Sequence, residues 1–279
     1  MPLKSRLILA AAVAALAPAA LSQEVSSAAP EPTDAELRRE TITVTARRVS
    51  EDIQDVPIPV SVLTEDFIAE TGAFNVGRLR EIVPTIQFYS TNPRNTAINI
   101  RGLGAPYGLT NDGLDAGVGM YVDGVFFARP ASTTLDFIDV SQIEVLRGPQ
   151  GTLFGKNTTA GAINITTKKP SFTPETEVEL TYGNFGYTQA KGAISGPITD
   201  RIAGRLSFSG TQRDGTLYNV RDNDYINDLN NLGVRGQLLF NLSDNLEVIL
   251  AGDHTRQRPN GYALVPVGVA PTLRNPNRQ

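Results

Sequence analysis

The residue types that carry out most protein chemistry are scarce in this chain of 279 residues. It contains no cysteine, and His254 is its single histidine. The missing thiols exclude disulfides, thiolate metal sites and cysteine nucleophiles, and one histidine cannot build a histidine-rich metal site. No serine lies in a Gly-x-Ser-x-Gly turn, which presents the nucleophile of many hydrolases. We therefore do not expect an enzyme.

Two glycine-rich segments have to be tested as nucleotide-binding turns. In residues 147–157, a phosphate loop would need glycine in place of Gln150 and serine or threonine in place of Asn157. In residues 101–107, Tyr107 occupies the place of the third glycine of a dinucleotide turn. Both patterns fail, so the glycines indicate tight turns and close backbone contacts instead.

An acidic stretch resembles a calcium loop only in part. Asp222, Asp224 and Asp228 have the spacing of calcium ligands, but Asn227 and Gly233 replace the glycine and glutamate that such a loop requires. We interpret the stretch as a solvated acidic loop and expect no metal or other cofactor. The formal net charge of −4 also argues against nucleic-acid binding, which needs clustered lysine and arginine.

Residues 1–22 have the order of a secretory signal peptide. A basic head precedes an apolar run at 7–16, and small residues follow, with cleavage expected after Ala19 or Ser22. The apolar run has about half the length that a membrane-spanning helix needs. Since no later apolar stretch approaches that length, a mature form in a membrane would have to cross it as β-strands.

A flexible linker with a β-prone strip is predicted at 23–49. Its first part is polar and contains prolines, and such a segment cannot offset its ordering entropy by burial. The strip at 40–46 is rich in β-branched residues, which favour an extended backbone. It could add itself to the sheet edge of another protein, or it could be the first strand of the following domain.

Residues 52–170 have the composition of a mixed α+β domain. Prolines keep 56–62 extended, Thr64 has the N-cap position of a short helix that Gly72 ends, and a second short helix is predicted at 76–82. The rest of the pattern predicts four short strands, at 97–101, 119–122, 143–147 and 162–167. It also predicts one tight Asp-Gly turn at 123–124.

The chain resembles the TonB-dependent outer-membrane receptors in five segments, which are ETITVTARR (40–48), VPIPVSVLTEDFI (56–68), IRGLG (100–104), YVDGV (121–125) and IEVLRGPQGTLFGKNTTAGAINITTKKP (143–170). The last segment is the most specific, and the resemblance covers roughly residues 40–256. It implies that about 50–170 form the plug that fills a barrel. It also implies that 40–46 is the TonB box, with the residues Glu40, Thr41, Ile42, Thr43, Val44, Thr45 and Ala46.

The resemblance also suggests two groups of site residues in the plug. The first group combines charged residues with glycine turns, and we expect its charged members to form structural ion pairs; it contains Arg101, Gly102, Asp123, Gly124, Arg147, Gly148, Pro149, Gly151 and Gly155. The second group lies where polar and aromatic residues interrupt the strand pattern, and its members are possible ligand contacts; it contains Tyr89, Asn92, Arg94, Tyr107 and Asn111.

Residues 171–279 read as the start of an antiparallel transmembrane β-barrel. Five strands of about ten residues alternate apolar and polar side chains between 176 and 251, which is the pattern of membrane barrels. Tight turns at 197–200 and 242–245 alternate with a long polar connection at 214–230, as the periplasmic and outer sides of such a barrel require. A soluble β-sandwich shows the same alternation with its apolar face turned inward.

The predicted fold class is therefore an α+β plug domain followed by the first strands of an incomplete antiparallel transmembrane β-barrel. Plugged transporters have about 22 strands, so this chain is expected to be an N-terminal fragment that neither inserts nor transports alone. The resemblance implies uptake across the outer membrane of a scarce ligand, most often a ferric siderophore. It implies TonB, this ligand and outer-membrane lipid as partners. Receptors for cobalamin or carbohydrate and a soluble secreted β-rich binding module are the alternatives.

Overall fold

The computed structural model describes residues 42–45, 47–90, 92, 95–105 and 115–260. The signal peptide, most of the linker and several predicted site residues lie outside these ranges; the residues are Glu40, Thr41, Ala46, Arg94, Tyr107 and Asn111. Among the described residues, no helix is long and apolar enough to cross a membrane.

The described part of the strip, residues 42–45, lies on the plug as part of a short hairpin. Strand β1 (Thr43–Val44) pairs antiparallel with β2 (Glu51–Asp52), and a 3₁₀ turn at Ile53–Asp55 follows. The polar composition of residues 23–49 predicts a flexible linker. The structure instead packs 42–45 against the plug, because Val44 gains a buried position there.

The first plug helix forms as its sequence predicts. Strand β3 (Val60–Thr64) leads into α1 (Glu65–Thr71), the Thr64 hydroxyl accepts the Phe67 N–H at 3.5 Å, and Gly72 ends the helix at φ 64°. The second predicted helix is a 3₁₀ helix at Val76–Glu81, shorter than predicted. Gly77 within it and Pro84 just beyond it disfavour a longer α-helix.

One mixed sheet and one separate hairpin complete the plug. Besides β3, the sheet contains β6 (Val118–Val122), β7 (Val125–Phe126), β8 (Val140–Arg147) and β9 (Gly161–Thr167). Its strand order is β3-β8-β9-β6-β7, in which β6 and β9 run parallel and the other neighbours antiparallel. The hairpin consists of β4 (Ile86–Ser90) and β5 (Thr96–Ile100), and two short helical segments lie at Pro130–Thr134 and at α2 (Gly151–Phe154).

Two hydrophobic clusters lie on the faces of this sheet. The larger one joins α1 and the 3₁₀ helix to buried side chains of β8 and β9, such as Ile143 and Ile163. The smaller one contains Val44 of the strip. Gly161 allows β8 and β9 to approach here, since a Cβ on it would lie 2.3 Å from the Leu146 carbonyl oxygen.

After the plug, five long strands form an open antiparallel sheet in chain order, as predicted. They are β10 (Glu175–Gly183), β11 (Tyr187–Thr199), β12 (Ile202–Arg213), β15 (Leu229–Ser243) and β16 (Leu246–Gln257). The long polar connection contains a small hairpin that its sequence does not predict, formed by β13 (Leu217–Asn219) and β14 (Asp224–Ile226). Tyr218 and Tyr225 face each other across it, with ring centroids 5.2 Å apart.

The two faces of the open sheet have opposite chemistry. On β12, Ser207 and Ser209 are each 1% exposed, whereas Leu206 is 55% and Phe208 41% exposed. Strand β15 repeats this arrangement with polar residues buried on the inner face and leucine and valine on the outer face. The inner face packs against the plug. This polarity is the inverse of a water-soluble sandwich, whose apolar face is turned inward.

Candidate functional site

Val44 of the strip occupies a pocket in the smaller cluster of the plug. Val44 is fully buried among Tyr121, Leu146, Phe154 and Ala162. Its predecessor Thr43 is exposed, which leaves the two residues of β1 on opposite faces of the hairpin. Besides its backbone pairing with β2, the described part of the strip is therefore attached to the plug through one apolar side chain and through the residue that follows it.

A buried carboxylate holds that following residue. Glu144 of β8 is fully buried, and its Oε1 accepts both the Thr45 N–H at 2.5 Å and the Thr45 hydroxyl at 3.1 Å. Two side chains of the sheet also donate to Glu144, namely Gln142 at 2.9 Å and Asn164 at 3.1 Å. The Asn164 amide also reaches the Thr45 hydroxyl oxygen at 3.3 Å. Sequence reasoning missed Glu144, although an acid inside the apolar run IEVL is a signal of a buried polar contact.

The turn between β1 and β2 adds two contacts of Arg48. The Arg48 N–H donates to the Thr45 carbonyl at 2.8 Å, and the guanidinium lies 5.1 Å from the centre of the Phe154 ring. Tyr121, on the same cluster, donates its hydroxyl to the Phe154 carbonyl. Burial raises the pKa of Tyr121, and the nearby Arg48 charge offsets part of that rise.

The charged residues of the glycine turns differ in their contacts. Asp123 (φ 48°) and Gly124 (φ 79°) form the turn between β6 and β7, and the Asp123 carboxylate accepts the Thr167 N–H and hydroxyl at 2.8 Å each. Among the described residues, no ion pair involves Arg101, which is exposed beside Gly102 at φ 79°. The Arg147 N–H donates to the Pro59 carbonyl at 3.0 Å.

The other predicted turn residues follow Arg147 in the same loop. Gly148 and Gly155 have φ values of 103° and 79°, which favour glycine. Pro149 lies between Gly148 and α2, and Gly151 begins that helix.

Two ion-pair clusters join the plug to the inner face of the open sheet. Arg205 of β12 donates from Nη2 to Asp139 at 2.7 Å and lies 3.2 Å from Glu175. Arg235 of β15 pairs with Asp123 and lies 3.2 Å from Asp253. Sequence reasoning missed Asp139 and both arginines. The sequence feature that could have indicated these pairs is an arginine at an inward position of an alternating strand, because a buried guanidinium needs an acidic partner.

A third contact fixes the connection between plug and sheet. Lys168 lies 2.6 Å from Glu65 of α1 and 2.7 Å from Glu177 of β10. Burial lowers the pKa of Lys168, but the hydrogen bonds to Glu177 and Glu65 outweigh this effect, so its pKa is raised.

Asp136 of the plug is buried against the sheet, and among the described residues no ion pair involves it. Its Oδ1 accepts the Asn231 side-chain N–H at 2.7 Å. Burial raises the pKa of Asp136, and hydrogen bonds from Thr211 and Asn231 offset only part of that rise.

Two of the predicted ligand contacts lie in the described part of the chain. Tyr89 is half-buried on β4. The Asn92 side-chain oxygen accepts the Asn95 N–H at 2.9 Å, so this group supports the turn between β4 and β5. Both lie close to one end of that hairpin, whereas Arg94, Tyr107 and Asn111 fall outside the described residues.

The architecture defines a class of protein: a plug with a docked N-terminal strip, followed by the first wall strands of a barrel. Residues 52–162 match the family model of the TonB-dependent Receptor Plug Domain. The chain is therefore a relative of the TonB-dependent receptors and carries their plug domain, which confirms the resemblance seen in the sequence.

Individual relatives agree with this assignment. The chain is 30% identical over 183 residues to the pesticin receptor of Yersinia pestis, and 28% identical over 205 residues to the vitamin B12 transporter BtuB of Vibrio cholerae. These matches cover 64% and 71% of the chain but only 26% and 31% of the relatives. The chain thus spans between a quarter and a third of these relatives, which are receptors or transporters rather than enzymes.

Solved structures show the same fold. The ferric yersiniabactin uptake receptor FyuA from Yersinia pestis superposes with a TM-score of 0.65 at 26% identity, over 74% of this chain and 33% of that one. The ferripyoverdine receptor of Pseudomonas aeruginosa superposes with a TM-score of 0.62 at 19% identity, over 76% and 27% of the two chains.

Proposed function

We propose that this chain forms the plug and first wall strands of a receptor that takes up a scarce ligand across the outer membrane. The observation that carries the proposal is the inverted polarity of the open sheet, with Leu206 and Phe208 exposed outward and Ser207 and Ser209 buried against the plug. An apolar outer face is stable in lipid and unfavourable in water. This favours a membrane wall over the soluble binding module.

We further propose that residues 40–46 are the TonB box. The described part of this segment is a short strand at the surface of the plug, and strand addition is the interaction such a segment offers to a partner. Tension on it would act on the plug through the contacts of Val44 and Thr45. The leader at 1–22 would export the chain to this membrane.

A ferric siderophore is the proposed ligand. Its support is similarity, since the similar proteins include the ferrioxamine B receptor of Salmonella typhimurium and the ferric yersiniabactin uptake receptor FyuA of Yersinia pestis. The vitamin B12 transporter among the relatives keeps cobalamin as the second candidate.

The test is uptake by a complete receptor that carries this sequence at its N-terminus. Cells expressing it should accumulate iron from at least one ferric siderophore when TonB is present, and should lose that uptake in a strain without TonB. Labelled cobalamin in the same cells distinguishes the second candidate. Uptake that is equal in both strains, or recovery of the receptor in the soluble fraction, would refute the proposal.

A further inference from the structure

Strand β16 carries cations on the outer face of the open sheet. Two of its residues contact the interior: Asp253 lies 3.2 Å from Arg235, and the Gln257 side chain donates to the Thr134 carbonyl at 3.3 Å. Because side chains alternate along a strand, the even-numbered positions from 254 to 258 point outward. They hold a cation ladder of three exposed residues, which are His254, Arg256 and Arg258.

The side chains of the cation ladder have no partner within the protein. In the part of the chain that the structure describes, no ion pair or side-chain hydrogen bond involves His254, Arg256 or Arg258. The Arg258 backbone N–H donates to the Asn230 carbonyl at 2.8 Å, so the pairing of β15 with β16 orders the ladder up to its last residue. The ladder thus presents its charges to the surroundings of the sheet.

Nearby acids make other contacts. Asp253 faces the plug and lies near Arg235, and the Asp224 carboxylate accepts the Asn260 side-chain N–H at 2.9 Å. Asp228 accepts the Asn260 backbone N–H. These acids therefore do not form ion pairs with the cation ladder.

The cations lie in a surface that is otherwise apolar. In the register of β15 and β16, Arg256 lies opposite Leu232 and His254 lies opposite Val234. Leu232 is 45% and Val234 39% exposed on the outer face. A cation beside such residues on a lipid-facing wall is poorly solvated unless it reaches water or an anionic headgroup.

Strand length gives the height of the ladder in a membrane wall. Leu246 follows the tight turn at 242–245, and Arg256 lies ten residues further along β16. At about 3.4 Å per residue and a tilt of about 40°, this distance corresponds to a height of about 26 Å. The apolar band of a membrane barrel is about 25 Å tall. Arg256 therefore reaches the far interface, on the side of the long connection at 214–230.

An apolar groove lies below the ladder on the same face. Gly236 lies opposite Gly252 in the register, and a Cβ on either would have no neighbour within 4 Å. Leu238 and Leu250, which are 39% and 59% exposed, border this depression, whose volume is about 660 Å³. A charged head above an apolar groove matches the two parts of an anionic lipid, its headgroup and an acyl chain.

We propose that the cation ladder binds the phosphate-bearing headgroup of an anionic lipid in the outer leaflet, with an acyl chain of that lipid in the groove at Gly236 and Gly252. The proposal rests on the proposed function, since it requires β16 in a membrane wall. Arg256 and Arg258 are separated by about 7 Å along the strand, so both can reach one phosphate. A guanidinium binds phosphate through two parallel N–H bonds.

The absence of cysteine from this chain permits a local measurement of the lipid. Leu232→Cys, opposite Arg256, carries a bimane fluorophore in a complete receptor without other cysteines. The receptor is reconstituted in vesicles of phosphatidylcholine and phosphatidylglycerol, one of which has brominated acyl chains that quench bimane on contact. Exchanging the brominated lipid between the two classes gives the local preference for the anionic one.

We expect phosphatidylglycerol to be preferred at least about fivefold at Leu232→Cys, because each basic residue near a membrane surface contributes about 1 kcal/mol toward an anionic lipid. Leu180→Cys is the matched control. Leu180 is 76% exposed on the same face, and it lies in the same register row as Leu232 through Ala190 and Gly210. It is four strands away from β16 and should show no preference.

The double variant Arg256→Gln with Arg258→Gln should reduce the preference at Leu232→Cys to about one, since it removes both guanidinium groups. The double variant Arg256→Lys with Arg258→Lys keeps the charges and should retain most of the preference. Arg221→Gln removes an exposed charge from the long connection and should leave the preference unchanged. Replacing chloride by inorganic phosphate at constant ionic strength should also leave it unchanged, because the acyl chain holds the lipid in the groove.

Equal quenching by both lipids at Leu232→Cys would overturn the lipid site, as would a preference that survives the loss of both arginines. A preference that inorganic phosphate abolishes would indicate a site for free phosphate and overturn it too. Recovery of the receptor in the soluble fraction would refute the proposed function. A receptor that inserts and takes up its ligand without any local lipid preference would refute the lipid site alone.

Discussion

At the scale of single residues, Asp136 links pH to stability. Its pKa is raised by burial against β12 and β15, and Lys191 is a nearby charge that opposes the rise. A carboxyl group whose pKa is higher in the folded state than the unfolded value of about 3.9 does not reduce the free energy of unfolding at a pH below that value. As the pH increases from there through the folded pKa, the buried group loses its proton and the free energy of unfolding falls. The contact between plug and sheet should therefore weaken as the pH rises out of the acid range.

We expect Asp136→Asn to remove this loss, because a neutral amide has no charge to desolvate. The free energy of unfolding should increase by about 1 kcal/mol at pH 7 and change little at pH 3. Urea denaturation of the full chain in detergent at several pH values measures this effect. Asp200→Asn in an exposed turn is the control. A stability gain of equal size at both pH values would contradict the explanation.

At the scale of elements, the proposed pairing of the strip with a partner strand can be tested by removing the backbone N–H donor of Ile42. Ile42 contributes its carbonyl to the hairpin, where it accepts the Ile53 N–H at 3.0 Å. Proline keeps this carbonyl and lacks an N–H, so Ile42→Pro should spare docking and impair strand addition by a partner.

In a complete receptor, we expect Ile42→Pro to reduce ligand uptake at least about tenfold while ligand binding to whole cells stays unchanged. Ile42→Val is the matched control, because it retains the donor and the β-branched shape. Transport of a labelled ferric siderophore and its equilibrium binding are the two measurements. Equal loss of uptake and binding would show that the substitution damages the receptor as a whole.

The sequence alone predicts the local structure of several elements but not the contacts between distant ones. Local signals were sufficient for the Thr64 cap, the Asp123-Gly124 turn and the five long strands, since capping, positive φ and alternation act within a few residues. The pairing of Arg205 with Asp139 and of Glu144 with Thr45 joins residues 66 and 99 positions apart. No local pattern specifies such partners, so these contacts required the fold.

At the scale of the whole molecule, the outer face of the open sheet should tolerate charge according to depth. Leu206 lies in the middle of β12, whereas Ile198 is 61% exposed near the turn that joins β11 to β12. In a membrane wall, arginine costs about 2–4 kcal/mol at the midplane and about 0–1 kcal/mol near the interface.

Leu206→Arg should therefore reduce the amount of complete receptor in the outer-membrane fraction strongly, and Ile198→Arg should reduce it little. Membrane fractionation followed by immunoblotting compares the two variants at equal expression. A water-soluble sandwich predicts a different result, since arginine would be harmless at both exposed positions. Equal accumulation of both variants in the soluble fraction would support that alternative.

Under the proposed function, the outward-facing leucines and valines of the open sheet also affect how the chain is exported to the outer membrane. A polypeptide exported through a signal peptide must cross the aqueous space between two membranes before it reaches lipid. During that passage the side chains that later face acyl chains are in contact with water, and the strands that carry them are prone to self-association. The chain should thus depend on a holding chaperone in that compartment, and its depletion should leave this protein aggregated or degraded.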